Sequence, residues 1–203
     1  MMNKSIYNKG MTLVEILVAI AIFLVVLGAL MLFFKNIFSY RTVISGSYET
    51  TQQAQAILKT MLTEIRQMSP GANGAYALAL SGTSTIAFYS DSNADGVKEK
   101  ITYERVGTDL YRRQIIPSGS TYNPASQTSS IIVRSVRNEN TSPIFEYFNE
   151  YYNGTSSPLV QPVTTTQVRL VKINLRLDID PNLSPVPVMF TTQTSIRNIK
   201  TNL

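Results

Sequence analysis

Two groups of residues in this 203-residue chain could do chemistry. The first is Glu15, the single ionisable side chain between Met11 and Phe34. A carboxylate among membrane-buried residues costs about 2.5–3.5 kcal/mol on insertion scales, so a residue kept there needs a partner. The junction just before it, Gly10-Met11, offers one. Cutting after Gly10 leaves the Met11 ammonium one helical turn, about 6 Å, from Glu15 along the axis. That ammonium could neutralise Glu15 of its own chain or of a neighbour shifted along a shared axis.

The second group is Asp91-x-Asn93-x-Asp95-Gly96, with oxygen-bearing side chains at alternate positions and a glycine for a sharp turn. This is the first half of a calcium loop of the EF-hand kind. With Asp91 as the first position, the bidentate glutamate expected at the twelfth is Thr102, so the chain has no EF-hand as written. Glu99 or a distant carboxylate would have to complete a looser calcium site. A polar hairpin turn uses the same residue types because Asp, Asn and Gly tolerate left-handed backbone, and it is the simpler expectation.

Other chemistry is poorly supplied. Cysteine and histidine are both absent, which removes disulfides, thiolate metal sites and the usual general base. The remaining Ser, Lys and Glu residues form no recognisable catalytic constellation, so no enzyme and no other cofactor is expected. The formal charge of +5 falls to +3 without Lys4 and Lys9. Arg105, Arg112, Arg113, Arg134, Arg137, Arg169, Lys172, Arg176, Arg197 and Lys200 are scattered rather than run together, unlike the basic stripe of a nucleic-acid binder. They are expected on a solvated surface. Phe145, Tyr147, Phe148, Tyr151 and Tyr152 could form an adhesive patch, but core packing is the more ordinary use of such a run.

These residues need elements to position them. Residues 11–34 are long and apolar enough to cross a bilayer as a helix. Ala54, Ile57, Leu58, Met61, Leu62, Ile65 and Met68 then mark one buried helical face, with Gln53, Gln55, Lys59, Thr63, Glu64 and Gln67 on the opposite side. No proline interrupts Met11 to Ser69, so one continuous helix is expected, ended by Ser69-Pro70-Gly71. Strands are expected at Thr85–Tyr89, Lys100–Val106, Leu110–Ile116, Ile131–Val133, Ile144–Phe148, Val171–Asp180 and Val188–Ile196. Polar loops are expected at Pro117–Ser130 and Asn153–Thr166. The whole reads as α+β: a long N-terminal helix, transmembrane then amphipathic, packed on an antiparallel β-sheet. Its divisions are residues 1–10 as leader, 11–34 as the transmembrane half, 35–69 as the amphipathic half and 70–203 as a β-rich head.

The stretch from Lys4 to Phe34 resembles the type IV prepilin signature: a basic leader ending in Gly10, then Met11, Thr12, Leu13, Val14 and Glu15 ahead of an apolar helix. The resemblance implies cleavage between Gly10 and Met11 by a prepilin peptidase, N-methylation of Met11, and Glu15 as the family's fifth-position glutamate. Ile144–Gly154, the strand after Val171 and the closing Thr194–Asn198 are similar in order and texture to W-type minor pilins and J-type minor pseudopilins of type II secretion. That implies a structural subunit whose partners are other pilins or pseudopilins, the inner-membrane assembly platform and, before assembly, membrane lipid. The head would lie outside the cytoplasmic membrane and then in a filament. A membrane-anchored binding module for DNA, a surface or calcium is the alternative. A secretory signal cleaved after Ala19-Ile20-Ala21 would be cut mid-membrane, and a plain signal anchor leaves Glu15 and Gly10 unexplained.

Overall fold

The computed structural model describes residues 11–138, 141–178 and 187–196, with backbone alone for residues 36–50. Helix α1 runs Leu13–Arg66, 54 residues without a break. It ends three residues before the expected stop at Ser69. Its first part is apolar on every side: Leu13–Lys35 has a mean hydropathy of 3.2 and buries none of its side chains within the chain. The chain divides into two compact units within this helix, Met1–Ser47 and Tyr48–Leu203.

The second unit holds the folded core. Ala54, Leu58, Met61 and Ile65 of α1 are buried, followed by Met68, while Ile57 and Leu62 are partly covered. These are the positions that the helical spacing marked out. They pack into one cluster with residues of two sheets, not the single sheet expected. The first sheet has the order β1-β2-β3-β4-β5, from Leu78–Ser81, Thr85–Ser90, Glu99–Val106, Asp109–Ile115 and Thr128–Val133. The second has the order β6-β7-β8, from Phe145–Phe148, Leu170–Leu177 and Val188–Ser195. Every strand pair is antiparallel.

Two sheets arise because β5 and β6 do not pair. The chain leaves β5 through Ser135, whose φ of 59° turns it sharply. It then joins the second sheet by a bridge from Val136 to Leu177 and by the Arg137 N–H donating to the Arg176 carbonyl at 2.8 Å. Ile144 N–H and Phe145 N–H both donate to the Thr83 carbonyl, tying β6 back to the first sheet's β1–β2 turn. β1 was not foreseen, being only four residues with a bulge opposite Ala87 and Phe88. β5 begins at Thr128, inside the stretch expected as loop, because its Thr128, Ser129 and Ser130 lie on an exposed edge and carry no apolar signal. The alternating strand in β7 begins at Leu170 and is followed to Leu177. Its expected last residues, 179–180, lie outside the described residues.

Candidate functional site

The apolar segment begins with a reciprocal cap. Glu15 Oε2 accepts from the Thr12 backbone N–H at 2.9 Å and from Thr12 Oγ1 at 3.0 Å, while Thr12 Oγ1 accepts from the Glu15 N–H at 3.3 Å. This is the Thr-x-x-Glu capping box, which satisfies two backbone donors that a helix start otherwise leaves open. The Thr12-Leu13-Val14-Glu15 spacing carries this cap in the sequence, beside the charge of Glu15. The cap engages one carboxylate oxygen, Oε2, and fixes where the other is carried. Met11 lies just before the cap with its side chain exposed. Gly10 lies outside the described residues.

The second sequence candidate folds as the loop between β2 and β3. Asp91 Oδ1 accepts from Asp95 N–H at 3.1 Å and Asp91 Oδ2 from Gly96 N–H at 2.9 Å. Asn93 Oδ1 accepts from Asp95 N–H at 3.3 Å, and Asp95 Oδ1 from Val97 N–H at 2.7 Å. The Val97 bond holds the Asp95 carboxyl below the usual range, helped by Asn93. Gly96 sits at φ 87° and Ala94 at φ 61°, the left-handed backbone that the Asp, Asn and Gly composition anticipates. Glu99 reaches under the loop, where its Oε2 accepts from Ser92 N–H at 3.0 Å. The structure therefore brings all four residues to one hairpin. Among the described residues no three His, Cys, Asp or Glu side chains converge closely enough to hold a metal by themselves.

A third constellation was missed. Glu64, expected on the solvent side of the helix, is buried and bonded from two strands. Arg112 on β4 forks onto it, Nη2 to Oε1 at 2.7 Å and Nε to Oε1 at 3.1 Å. The Tyr103 hydroxyl on β3 donates to Oε2. Tyr103 and Arg112 are direct partners across the β3–β4 ladder, in the same row as Ile86 of β2, so all three face the helix. Arg112 is thus a partly buried ion-pair partner rather than a surface charge. Its Nη1 also donates to Gln114 Oε1 at 2.8 Å. Burial pushes the Tyr103 hydroxyl well above its ordinary pKa, and the Glu64 charge pushes the same way. Two signals could have found the network. Glu64 lies seven residues after Ile57, on the rim of the buried stripe, and Arg112 shares its strand face with buried Leu110.

The aromatic run is mostly core: Phe145, Tyr147 and Phe148 are buried, and the Tyr152 ring lies against Phe148, tilted by 45° with centroids 4.2 Å apart. Only Tyr151 of the five stands out into solvent. Several basic residues are also paired, Arg113 with Glu104, Arg137 with Asp178 and Lys172 with Glu146, which breaks up the positive surface further.

Residues 7–31 match the family model described as the prokaryotic N-terminal methylation motif. The matched stretch contains the Gly10-Met11 junction, the Thr12–Glu15 cap and most of the apolar part of α1. The N-terminus is thus of the prepilin type, joined to a helix long and apolar enough to span a membrane. The match leaves the β-rich head unassigned. No curated protein matches the chain.

Proposed function

We propose that the chain is a structural minor subunit of a type IV pilus or a type II secretion pseudopilus, of the W-type pilin or J-type pseudopilin kind. The observation that carries this reading is the match over residues 7–31, which runs into the apolar part of α1, where the single carboxylate, Glu15, stands one turn after Met11. Prepilin peptidase cuts between Gly10 and Met11, and Met11 is then N-methylated, which leaves its positive charge in place. Residues 11–34 anchor the subunit in the cytoplasmic membrane with the head outside. On assembly they exchange lipid for the helices of neighbouring pilins or pseudopilins, at the inner-membrane platform that builds the filament.

Glu15 gives this exchange a direction. In lipid the carboxylate has its capping bonds and no counter-charge from its own helix beyond Met11. Beside a neighbour's Met11 ammonium it gains an ion pair in a low-dielectric setting, where charge pairing is strong. The pairing favours leaving the bilayer and fixes the axial step between subunits. Residues 35–69 and the head, 70–203, form the filament's outer layer, and the role calls for no catalytic group and no nucleic acid.

Intact mass of the mature chain tests the processing: loss of Met1–Gly10 with a gain of one methyl group is expected. A retained leader would replace this reading with a membrane-tethered binding module. Glu15→Val tests the assembly step. Insertion into the membrane is expected to persist while filament incorporation is lost, and undiminished incorporation would refute the charge-pairing role.

A further inference from the structure

We propose that the cleft where the β1–β2 turn, the β3–β4 turn and the chain entering β6 meet binds a phosphoryl oxyanion, held by Arg105. The cleft measures about 170 Å³ and is lined chiefly by Thr83, Ser84, Arg105, Gly107, Asn138 and Ser142. Its walls come from both sheets, and hydrogen bonds tie them together. The Thr83 carbonyl accepts from Ile144 N–H at 2.9 Å and from Phe145 N–H at 3.0 Å, while the Ser84 carbonyl accepts from Arg105 N–H at 3.0 Å. Asn138, only 3% exposed, is fixed on three sides. Its Nδ2 donates to the Ser142 carbonyl at 3.1 Å and to the Asn174 carbonyl at 2.8 Å, and its Oδ1 accepts from Arg176 N–H at 2.9 Å. The cleft is therefore built before any ligand arrives, which lowers the ordering cost of binding.

What the cleft contains is one-sided. Arg105 is half-buried, and its Nη1 donates to the carbonyl of the fixed Asn138. A guanidinium has five N–H donors, and this one engages no other acceptor among the described residues. Arg112, Arg113 and Arg137 each meet a carboxylate, but no described carboxylate pairs with Arg105. Among the described residues no acidic side chain lines the cleft. The hydroxyls of Thr83, Ser84 and Ser142 have no protein partner among the described residues either. A positioned cation with spare donors and hydroxyl-bearing residues around it is complementary to an anion.

The donor set selects which anion. A carboxylate offers two oxygens in one plane, and a guanidinium fork satisfies them alone. Thr83 and Ser84 stand on one wall and Ser142 on another, so an anion with three or four oxygens uses donors that a carboxylate leaves idle. A phosphoryl group has that form. Size agrees with this choice. Pockets for whole small molecules run to about 300–1,000 Å³, whereas this one holds a phosphoryl group and little more. Thr83 and Ser84 are exposed, so the cleft opens to solvent on their side and a carrier molecule can stay outside. The ligand is inorganic phosphate or the terminal phosphoryl group of something larger, recognised by the same contacts. The cleft lies wholly in the head, so it stands or falls independently of how the N-terminus is processed.

The test uses the full chain in a phosphorus-free detergent and follows the phosphorus-31 line width of inorganic phosphate and, separately, of glycerol 3-phosphate. Saturable broadening is expected, reversed by sulfate and not by equal acetate. Tighter binding of the ester assigns the cleft to a carried phosphoryl group, and binding of phosphate alone assigns it to the free ion; the site stands in both cases. Arg105→Gln should weaken binding about tenfold or more, because charge-assisted bonds are lost. Arg105→Lys keeps the charge without the fork and should fall between the two. If Arg105→Gln does not fold, as judged by near-ultraviolet circular dichroism, Thr83→Val on the exposed wall should still weaken binding about threefold. Absence of saturable broadening with both probes would overturn the site. Broadening that Arg105→Gln, Arg105→Lys and Thr83→Val all leave unchanged would mean an adventitious ion only. Equal competition by acetate would overturn the assignment to a phosphoryl group.

Discussion

Replacing Arg112 by alanine isolates the polar contact between the helix and the first sheet. The substitution leaves the Glu64 carboxylate, whose side chain is 8% exposed, with the Tyr103 hydroxyl as its one remaining donor from the network. Removing one partner of a buried ion pair costs about 3–5 kcal/mol, because the survivor is left uncompensated. The Arg112 side chain is 19% exposed, so water reaches part of the pair and the lower end, about 3 kcal/mol, applies. Glu64→Ala should cost about 2–3 kcal/mol. It orphans the buried Tyr103 hydroxyl, but Arg112 keeps Gln114 and its access to water. The double alanine variant should then lose about 1.5–2 kcal/mol less than the two singles added, the coupling expected of groups in one network. A Glu64→Met, Arg112→Met pair should come back close to the parent, since packed apolar side chains can replace a buried pair without loss.

The assay is urea unfolding of the full chain in detergent, followed by the tyrosine signal in near-ultraviolet circular dichroism. Nine of the 11 tyrosines fall in Tyr48–Leu203, so the signal reports that unit. If either single substitution shifts stability by less than about 0.5 kcal/mol, or if the two effects add in full, the ion pair is not what holds the helix here.

Two further outcomes follow from burial. Tyr103 and Tyr147 both have hydroxyls raised above the ordinary value, in each case first by burial. Their neutral forms are favoured in the fold, while the unfolded chain titrates near pH 10. Stability should therefore be whole below about pH 10 and fall as pH rises beyond it, and Tyr103→Phe with Tyr147→Phe should flatten that fall in a pH series of urea midpoints. Met61, 0% exposed at the centre of the helix face, should cost about 2–5 kcal/mol as alanine. Phe23→Ala, in the apolar segment outside that core, should leave the same urea midpoint unmoved.

The positions that could be read along the chain were those whose periodicity survives averaging. Leu13–Lys35 announces itself by hydropathy, and Ala54, Leu58, Met61 and Ile65 by their spacing, because one helix face meets one core. The alternation in β7 was legible for the same reason, with Val171, Ile173, Leu175 and Leu177 all inward. β1 and the start of β5 were not. One is short and bulged and the other lies on an exposed edge, so neither imposes an apolar rhythm on its residues.

At the candidate sites the division is similar. The Gly10-Met11 junction, the lone Glu15 of the apolar run and the loop composition at Asp91–Gly96 are legible along the chain, since each is a matter of local spacing and residue type. Tertiary structure alone decided that Glu64 meets Arg112 and Tyr103, residues 48 and 39 positions away. It alone set Ser90 opposite Glu99 with both out of water. A charge carries no mark of its own burial. Whether it faces water or a partner depends on which strand the register lays across from it, and that pairing exists only once the sheets and the helix have closed on one core.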